Sequence, residues 1–445
     1  MKLKTSSLLI AATLMGAAVM PAQADNDAMV NLLKVLRDKG TISDSDYNAL
    51  VSAAKEDAKA TAEVKKVAKS MPKIITKGKI KFESPDGHWS FQPIGRVMWD
   101  MISVDGKGDG SNDYKGSELR RARLGFEGDI YDWGYKFEAD FAKAGKNGSS
   151  VAIKDAFVSY GTKFGDSKFK VKLGQSQIAF GFNTAASSKY MTFMDRPWYA
   201  DESTSPARES GIAAKLSSHR WSLASSITFG GLKAGEAEDS THGTRLSVRG
   251  TVVPYFEDKH HQFQIGAGYT TVGDNSDSYS FSNHLSSHAD PVKIKSATLN
   301  TSAYGGNDAY EFDAVGIFGP FHVLGEYNSL TADNNAGRDI DIDSYSIEAG
   351  YYLTGESMKL KHGLWDGVTP KSSMGAWQIA ARFENTDIKD GVNNEKADMW
   401  TIGLNYIPVK NIRLMLDYSD VTKFEKGGVG QTEPSAIKFR AQAKW

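Results

Sequence analysis

The sequence has no cysteine in 445 residues, which excludes disulfides, zinc thiolates and thiol nucleophiles. Long apolar runs are also scarce. Beyond residue 24 none approaches the roughly 20 residues that a membrane helix requires, so a soluble fold or a barrel remains. A basic excess is missing too. With 53 Lys and Arg against 54 Asp and Glu, non-specific nucleic-acid binding has no electrostatic driver. No glycine-rich phosphate loop precedes a helix, and no nucleophile–base pairing suggests a hydrolase. The sequence does not read as an enzyme.

What is present begins with a leader. Lys2 and Lys4 are followed by an apolar run from Leu8 to Met20 and by Ala22-Gln23-Ala24, the pattern of a secretory signal peptide spanning 1–24. Residues 25–72 favour helix. "NLLKVLRDKGTISDSDYNAL" reads as a short helix stopped at Gly40 and restarted behind a Ser43 cap. The stripe Leu50, Ala54, Ala58, Val64 and Ala68 is thin. It suits either a solvated helix or a periplasmic coiled coil that self-associates. Met71-Pro72 ends it.

From 79 to 445 the pattern has period two. In "WGYKFEADF", Trp133, Tyr135, Phe137, Ala139 and Phe141 share one face, with Lys136, Glu138 and Asp140 on the other. "WQIAARFE", "IRLMLDYS" and "IKFRAQAKW" repeat it. A soluble sandwich turns its apolar faces inward, whereas an outer-membrane barrel turns them to lipid and lines its lumen with charge. Counting decides between them. The alternation divides into sixteen strands, an even number, with tight turns such as "YDWG" and "PVKN" alternating with long loops at 181–209, 231–242 and 274–307. One segment, 355–374, is long where the scheme wants a turn. Tyr and Trp gather near strand ends, as at a membrane interface, and the chain stops on Trp445. The fold class is therefore all-β: a 16-stranded antiparallel transmembrane β-barrel over 79–445, in outer-membrane lipid, preceded by a short helical segment.

In "ELRRARLGF", Leu124 and Phe126 have lipid-facing parity, and Arg121 and Arg123 face the lumen. Arg120 has lipid-side parity, which is costly within the membrane. It lies near the external end, or a bulge turns it inward. The lumen arginines are either satisfied by neighbouring carboxylates or serve an anion.

Taken together, "GRVMWD" (95–100), "ELRRARLGFEGDIYDWGYKFEADFA" (118–142), "ASSKYMTFMDR" (186–196), "YYLTGES" (351–357), "GAWQIAARF" (375–383) and "GLNYIPVKNIRLMLDY" (403–418) resemble the phosphate-selective porin O and P family. The resemblance implies a homotrimer whose third external loop, here 181–209, folds inward. It implies passive diffusion of small anions such as phosphate past Arg96, Arg120 and Arg121, with Ser187, Ser188 and Arg196 on the loop and Lys189 alongside. Arg245 and Arg249 match its arginine ladder. Guanidinium forks suit phosphate oxygens, and several moderate sites in series let an ion leave. Departures weaken the phosphate reading. A loop lysine of the phosphate-specific members falls at Thr184, a central acidic residue falls near Lys154-Asp155, and loop 274–307 has little positive charge. A general or weakly selective pore is the alternative. No cofactor or metal is expected. His260-His261 reads as a solvated pair at a turn, Asp339, Asp341 and Asp343 lack the rest of a calcium loop, and "GDGSND" (108–113) offers only a weak divalent grip.

Overall fold

The computed structural model describes residues 22–76, 78–107, 112–142, 151–200, 208–231, 243–273, 278–391 and 394–445. The expected leader and the "GDGSND" loop lie mostly outside them. Two compact units are present.

The first is helical, with α1 at Ala22–Asp38 and α2 at Asp44–Ser70. Gly40 takes φ 69° at the break, a conformation that suits a residue without Cβ. Ser43 then caps α2. Its Oγ accepts from the Asp46 amide at 3.1 Å while the Asp46 carboxylate accepts from the Ser43 amide at 3.4 Å, satisfying two donors that the first turn would leave orphaned. α2 buries none of its residues.

The second unit is the barrel. Its sixteen long strands are β1 Ser90–Asp105, β2 Tyr114–Ile130, β3 Trp133–Asp140, β4 Ala152–Phe164, β5 Ser167–Gln177, β6 Arg208–Ser217, β7 Trp221–Thr228 and β8 Arg245–Asp258. They continue with β9 His261–Val272, β10 Tyr304–Phe318, β11 Phe321–Asn334, β12 Ile340–Tyr352, β13 Ala376–Lys389, β14 Glu395–Val409, β15 Ile412–Lys426 and β16 Ser435–Lys444. Each pairs antiparallel with its sequence neighbours, and β16 pairs with β1 to close the sheet, Phe439 facing Met101 and Arg440 facing Asp100. Closure removes the edges that an open sheet would expose.

The polarity is inverted relative to a soluble protein. Leu124, Ile402 and Ile437 are 53–60% exposed on the outer face, whereas Arg440, Lys438 and Arg382 are 1–2% exposed inside. Apolar area in water costs about 25 cal/mol per Å², and in hydrocarbon that cost vanishes. The wall is built for lipid.

The lumen is not uniformly polar, contrary to the simplest reading of the alternation. On β10 to β15 the inner face carries Val315, Ile317, Leu324, Leu330, Ile342, Ile388 and Val421, all buried under residues from inserted loops. Of the 181–209 loop, residues 181–200 fold inward, as the family resemblance implied, while 201–207 lie outside the described residues. The long 355–374 segment has a reason as well. It carries a small hairpin, Lys359–Lys361 with Leu364–Asp366, whose Trp365 packs edge-on against Phe182 at 5.3 Å and His322 at 5.6 Å. Its length serves burial inside the barrel rather than a turn.

Candidate functional site

Buried charge lines both halves of the lumen, but the inward arginines singled out from the sequence on the wall, Arg96, Arg121, Arg123, Arg245 and Arg249, lie on β1 to β8. The Arg120 question is answered by register. Met98 faces Arg121 and Trp99 faces Leu119, so Arg120 is one extra residue on β2. Such a bulge resets the alternation. Leu119 returns to the outer face at 48% exposure, and Arg120 is spared the lipid side that strict alternation would assign it.

Most inward arginines carry partners. Arg96 donates to Glu138 at 2.9 Å and to Ser188 Oγ at 2.9 Å. Arg123 donates to Asp140 at 2.8 Å, Arg245 to Glu209 at 2.9 Å, and Arg249 to Asp313. Asp155, whose register sequence alone left open, faces the lumen and takes Lys136 at 2.8 Å and Arg208 at 2.9 Å. The carboxylate-paired reading thus holds for Arg96, Arg123, Arg245 and Arg249.

Arg121 differs. It is 6% exposed, and the charges bearing most strongly on it are Arg120, Arg123, Arg196 and Arg440, every one a cation. Among the described residues no carboxylate pairs with it. Arg440 is neutralised by Asp100, which accepts from two of its nitrogens at 2.7 and 2.6 Å. Arg196 donates to the carbonyls of Asn183 at 2.8 Å and Ala186 at 2.7 Å. An enclosed guanidinium without a counter-charge is costly, and a bound anion removes that cost.

The 178–200 loop is held against the wall by groups that sequence reasoning did not single out. Glu326 accepts from the amides of Phe182 at 2.9 Å and Asn183 at 3.1 Å, from Asn183 Nδ2 at 2.7 Å and from Tyr199 OH at 3.1 Å. Arg413 donates to the carbonyls of Met191 and Thr192, Arg440 to that of Met194, and Arg382 to that of Asp195. These three guanidiniums fix the loop. In the loop itself Ser187 Oγ accepts from the Lys189 amide at 3.5 Å, so this hydroxyl serves the turn. Burial, reinforced by Arg96, draws the Lys189 ammonium down to about 8.

A further set was also missed. Lys163, Lys168, Lys170, Lys172 and Lys215 line a cavity of about 720 Å³ on β4 to β6, together with Arg249 and His362. The signal was available in "KFKVKLG", where Lys168, Lys170 and Lys172 alternate on one face. As for metals, Asp100, Glu118 and His288 bring ligand-type atoms within 4.8 Å of one another. Arg440 already holds both Asp100 oxygens, and Lys438 stands close by, bonded to Asp195. The surroundings favour a proton over a cation.

An inverted closed barrel with an inserted loop agrees with the sequence match, which covers residues 91–445 and carries the description phosphate-selective porin O and P. The chain belongs to the phosphate-selective porin O and P family. It is thus an outer-membrane porin, a channel and not an enzyme. Porin O of Pseudomonas aeruginosa is 26% identical to it over 383 residues, 78% of this chain and 86% of the relative. The anion-selective porin from Comamonas acidovorans is 14% identical with TM-score 0.53, over 80% of this porin and all of that chain. The outer-membrane channel DcaP of Acinetobacter baumannii is 15% identical with TM-score 0.51, over 82% and 99%. At these identities the two structures speak to fold alone.

Proposed function

We propose that this porin passes small anions of the phosphate and polyphosphate class by passive diffusion, with Arg121 as the central anion contact of a narrowed lumen. The observation that carries the reading is the enclosure of Arg121 among four arginines. Its planar fork suits two phosphate oxygens and keeps its charge at any working pH. Arg120 stands beside it on the bulge. Arg96 and Arg123 face each other across β1 and β2 and continue the track inward toward Ser188, Lys189 and Lys136. The lysine-lined cavity then offers weaker, solvated sites, so that an ion is handed on rather than trapped. Arg245 and Arg249 form the far side of this path.

The counter-reading is a general or weakly selective pore. It is favoured by the carboxylates on Arg96, Arg123, Arg245 and Arg249, which cancel much of the positive field. The active form is read as a homotrimer in outer-membrane lipid, with residues 1–24 removed on export and the 25–72 segment in the periplasm.

Planar-bilayer recording tests this. The reading requires a zero-current potential favouring anions across a KCl gradient, and block of the chloride current by low concentrations of phosphate. Anion preference without phosphate block would leave the general pore; cation preference would refute both anion readings.

A further inference from the structure

The loop joining β9 to β10 leaves the wall on one side of the barrel and is fastened on the other. Its tip reaches β1, β2 and β16, which lie about half a circuit away in the closed sheet. Ala289 packs against Ile102, Val104 and Ala436, and the Ser286 carbonyl accepts from Lys438 Nζ at 3.1 Å. Between them His288 bridges two further elements. Its Nδ1 lies 2.9 Å from Asp195 Oδ1 on the 178–200 loop, and its Nε2 lies 2.5 Å from Glu118 Oε1 on β2. The loop is a strap across the long-loop end of the pore, and one imidazole ties it to both neighbours.

A neutral imidazole has one N–H and one lone pair. Facing two carboxylate oxygens it can satisfy only one, and the other contact sets lone pair against lone pair. Both contacts are hydrogen bonds only in the imidazolium. The remaining charges around the ring are Asp100, whose Oδ2 is 4.0 Å from Nε2, Arg120 on the bulge, Lys438 bonded to Asp195 and Arg440 bonded to Asp100. Three carboxylates thus face three fixed cations, and the ring proton tips the balance. Burial alone would discharge the ring, but Asp195 and Glu118 outweigh it and hold the pKa above the ordinary histidine value.

Glu118 sits two residues from Arg120 on the strap side of the arginine cluster. Its side chain is 43% exposed, against 15% for Asp195, so it is the partner freer to leave a neutral ring. The cation nearest in charge influence to it is then Arg120.

We propose that His288 is a positioning residue: as an imidazolium it fastens the strap to the inserted loop and holds the Glu118 carboxylate off the arginine cluster, and its deprotonation weakens the anion preference of the pore. The idea rests on the anion-channel reading above.

The test is the zero-current potential in KCl gradients between pH 5.5 and 9, since chloride does not titrate. The wild type should shift toward the cation side as pH rises through a midpoint above the ordinary histidine range. His288→Gln should show the high-pH value of this component throughout, and Glu118→Gln, with no carboxylate to release, should keep only a smaller step from loss of the ring charge itself. Any separate shift from Lys189 near pH 8 remains in both variants and vanishes in Lys189→Met. Should His288→Gln fail to insert, Glu118→Gln still decides. A step of wild-type size in Glu118→Gln, any step of this component in His288→Gln, or its absence from the wild type, overturns the proposal. A cation-preferring pore that keeps the His288-dependent step would instead refute the anion reading and leave the fastening standing.

Discussion

Arg123 donates to Asp140 at 2.8 Å, while Arg121, two residues earlier on the same inward face, has four other arginines as its strongest charged neighbours. The two side chains are alike in type and burial and opposite in energetic role. Breaking a buried pair from one side leaves an uncompensated charge and costs about 3–5 kcal/mol. Arg123→Ala should therefore lower the thermal unfolding midpoint of the barrel in detergent. Arg121→Ala removes like-charge repulsion and should leave the midpoint unchanged or higher. Equal destabilisation by both would contradict the assignment of Arg121 as unpaired.

Glu326 holds the start of the inserted loop through four donors on Phe182, Asn183 and Tyr199. Each buried donor left without an acceptor costs about 1–3 kcal/mol, more than a loop can absorb in place. Glu326→Ala should release the loop, giving larger and noisier single-channel currents with weaker ion discrimination. Glu326→Gln, which keeps one acceptor, should fall between. Unaltered conductance in Glu326→Ala would mean that the wall arginines alone hold the loop.

Barrel closure brings Gly95 onto Trp445, with paired backbone bonds at 3.3 and 3.2 Å. A Cβ at position 95 would lie 2.2 Å from the Trp445 ring and 2.9 Å from the Arg123 carbonyl. Gly95→Ala must displace the final residue, at a cost of about 1–3 kcal/mol. Refolding yield in detergent micelles should drop. A wild-type yield would show that the C-terminal contact is dispensable.

Periodicity made the wall legible because lipid and lumen impose a period of two along each strand between bulges, and the sixteen long strands that the alternation called for are present. The bulge at Arg120 was legible as one of two solutions, since a lone arginine of the wrong parity must be relieved somehow. Loop insertion is different. Glu326 reaches Asn183 across 143 residues and Arg440 reaches Met194 across 246, and nothing local in either segment announces the contact. The same holds for the carboxylates opposite Arg96 and Arg249. A parity argument puts a charge in the lumen but cannot say whether an opposite charge from another strand meets it. Family resemblance pointed at Arg120 and Arg121 together, strand parity at Arg121 and Arg123. Among these only Arg121 has an exclusively cationic set of strongest neighbours.

The most direct measurement is therefore charge reversal at that residue. In planar bilayers Arg121→Glu should move the zero-current potential toward the cation side and abolish phosphate block of the chloride current. Arg121→Lys should keep anion preference with weaker block, because an ammonium lacks the bidentate fork. If Arg121→Glu inserts normally and leaves both ion preference and phosphate block at wild-type values, Arg121 is not an anion contact and the account fails.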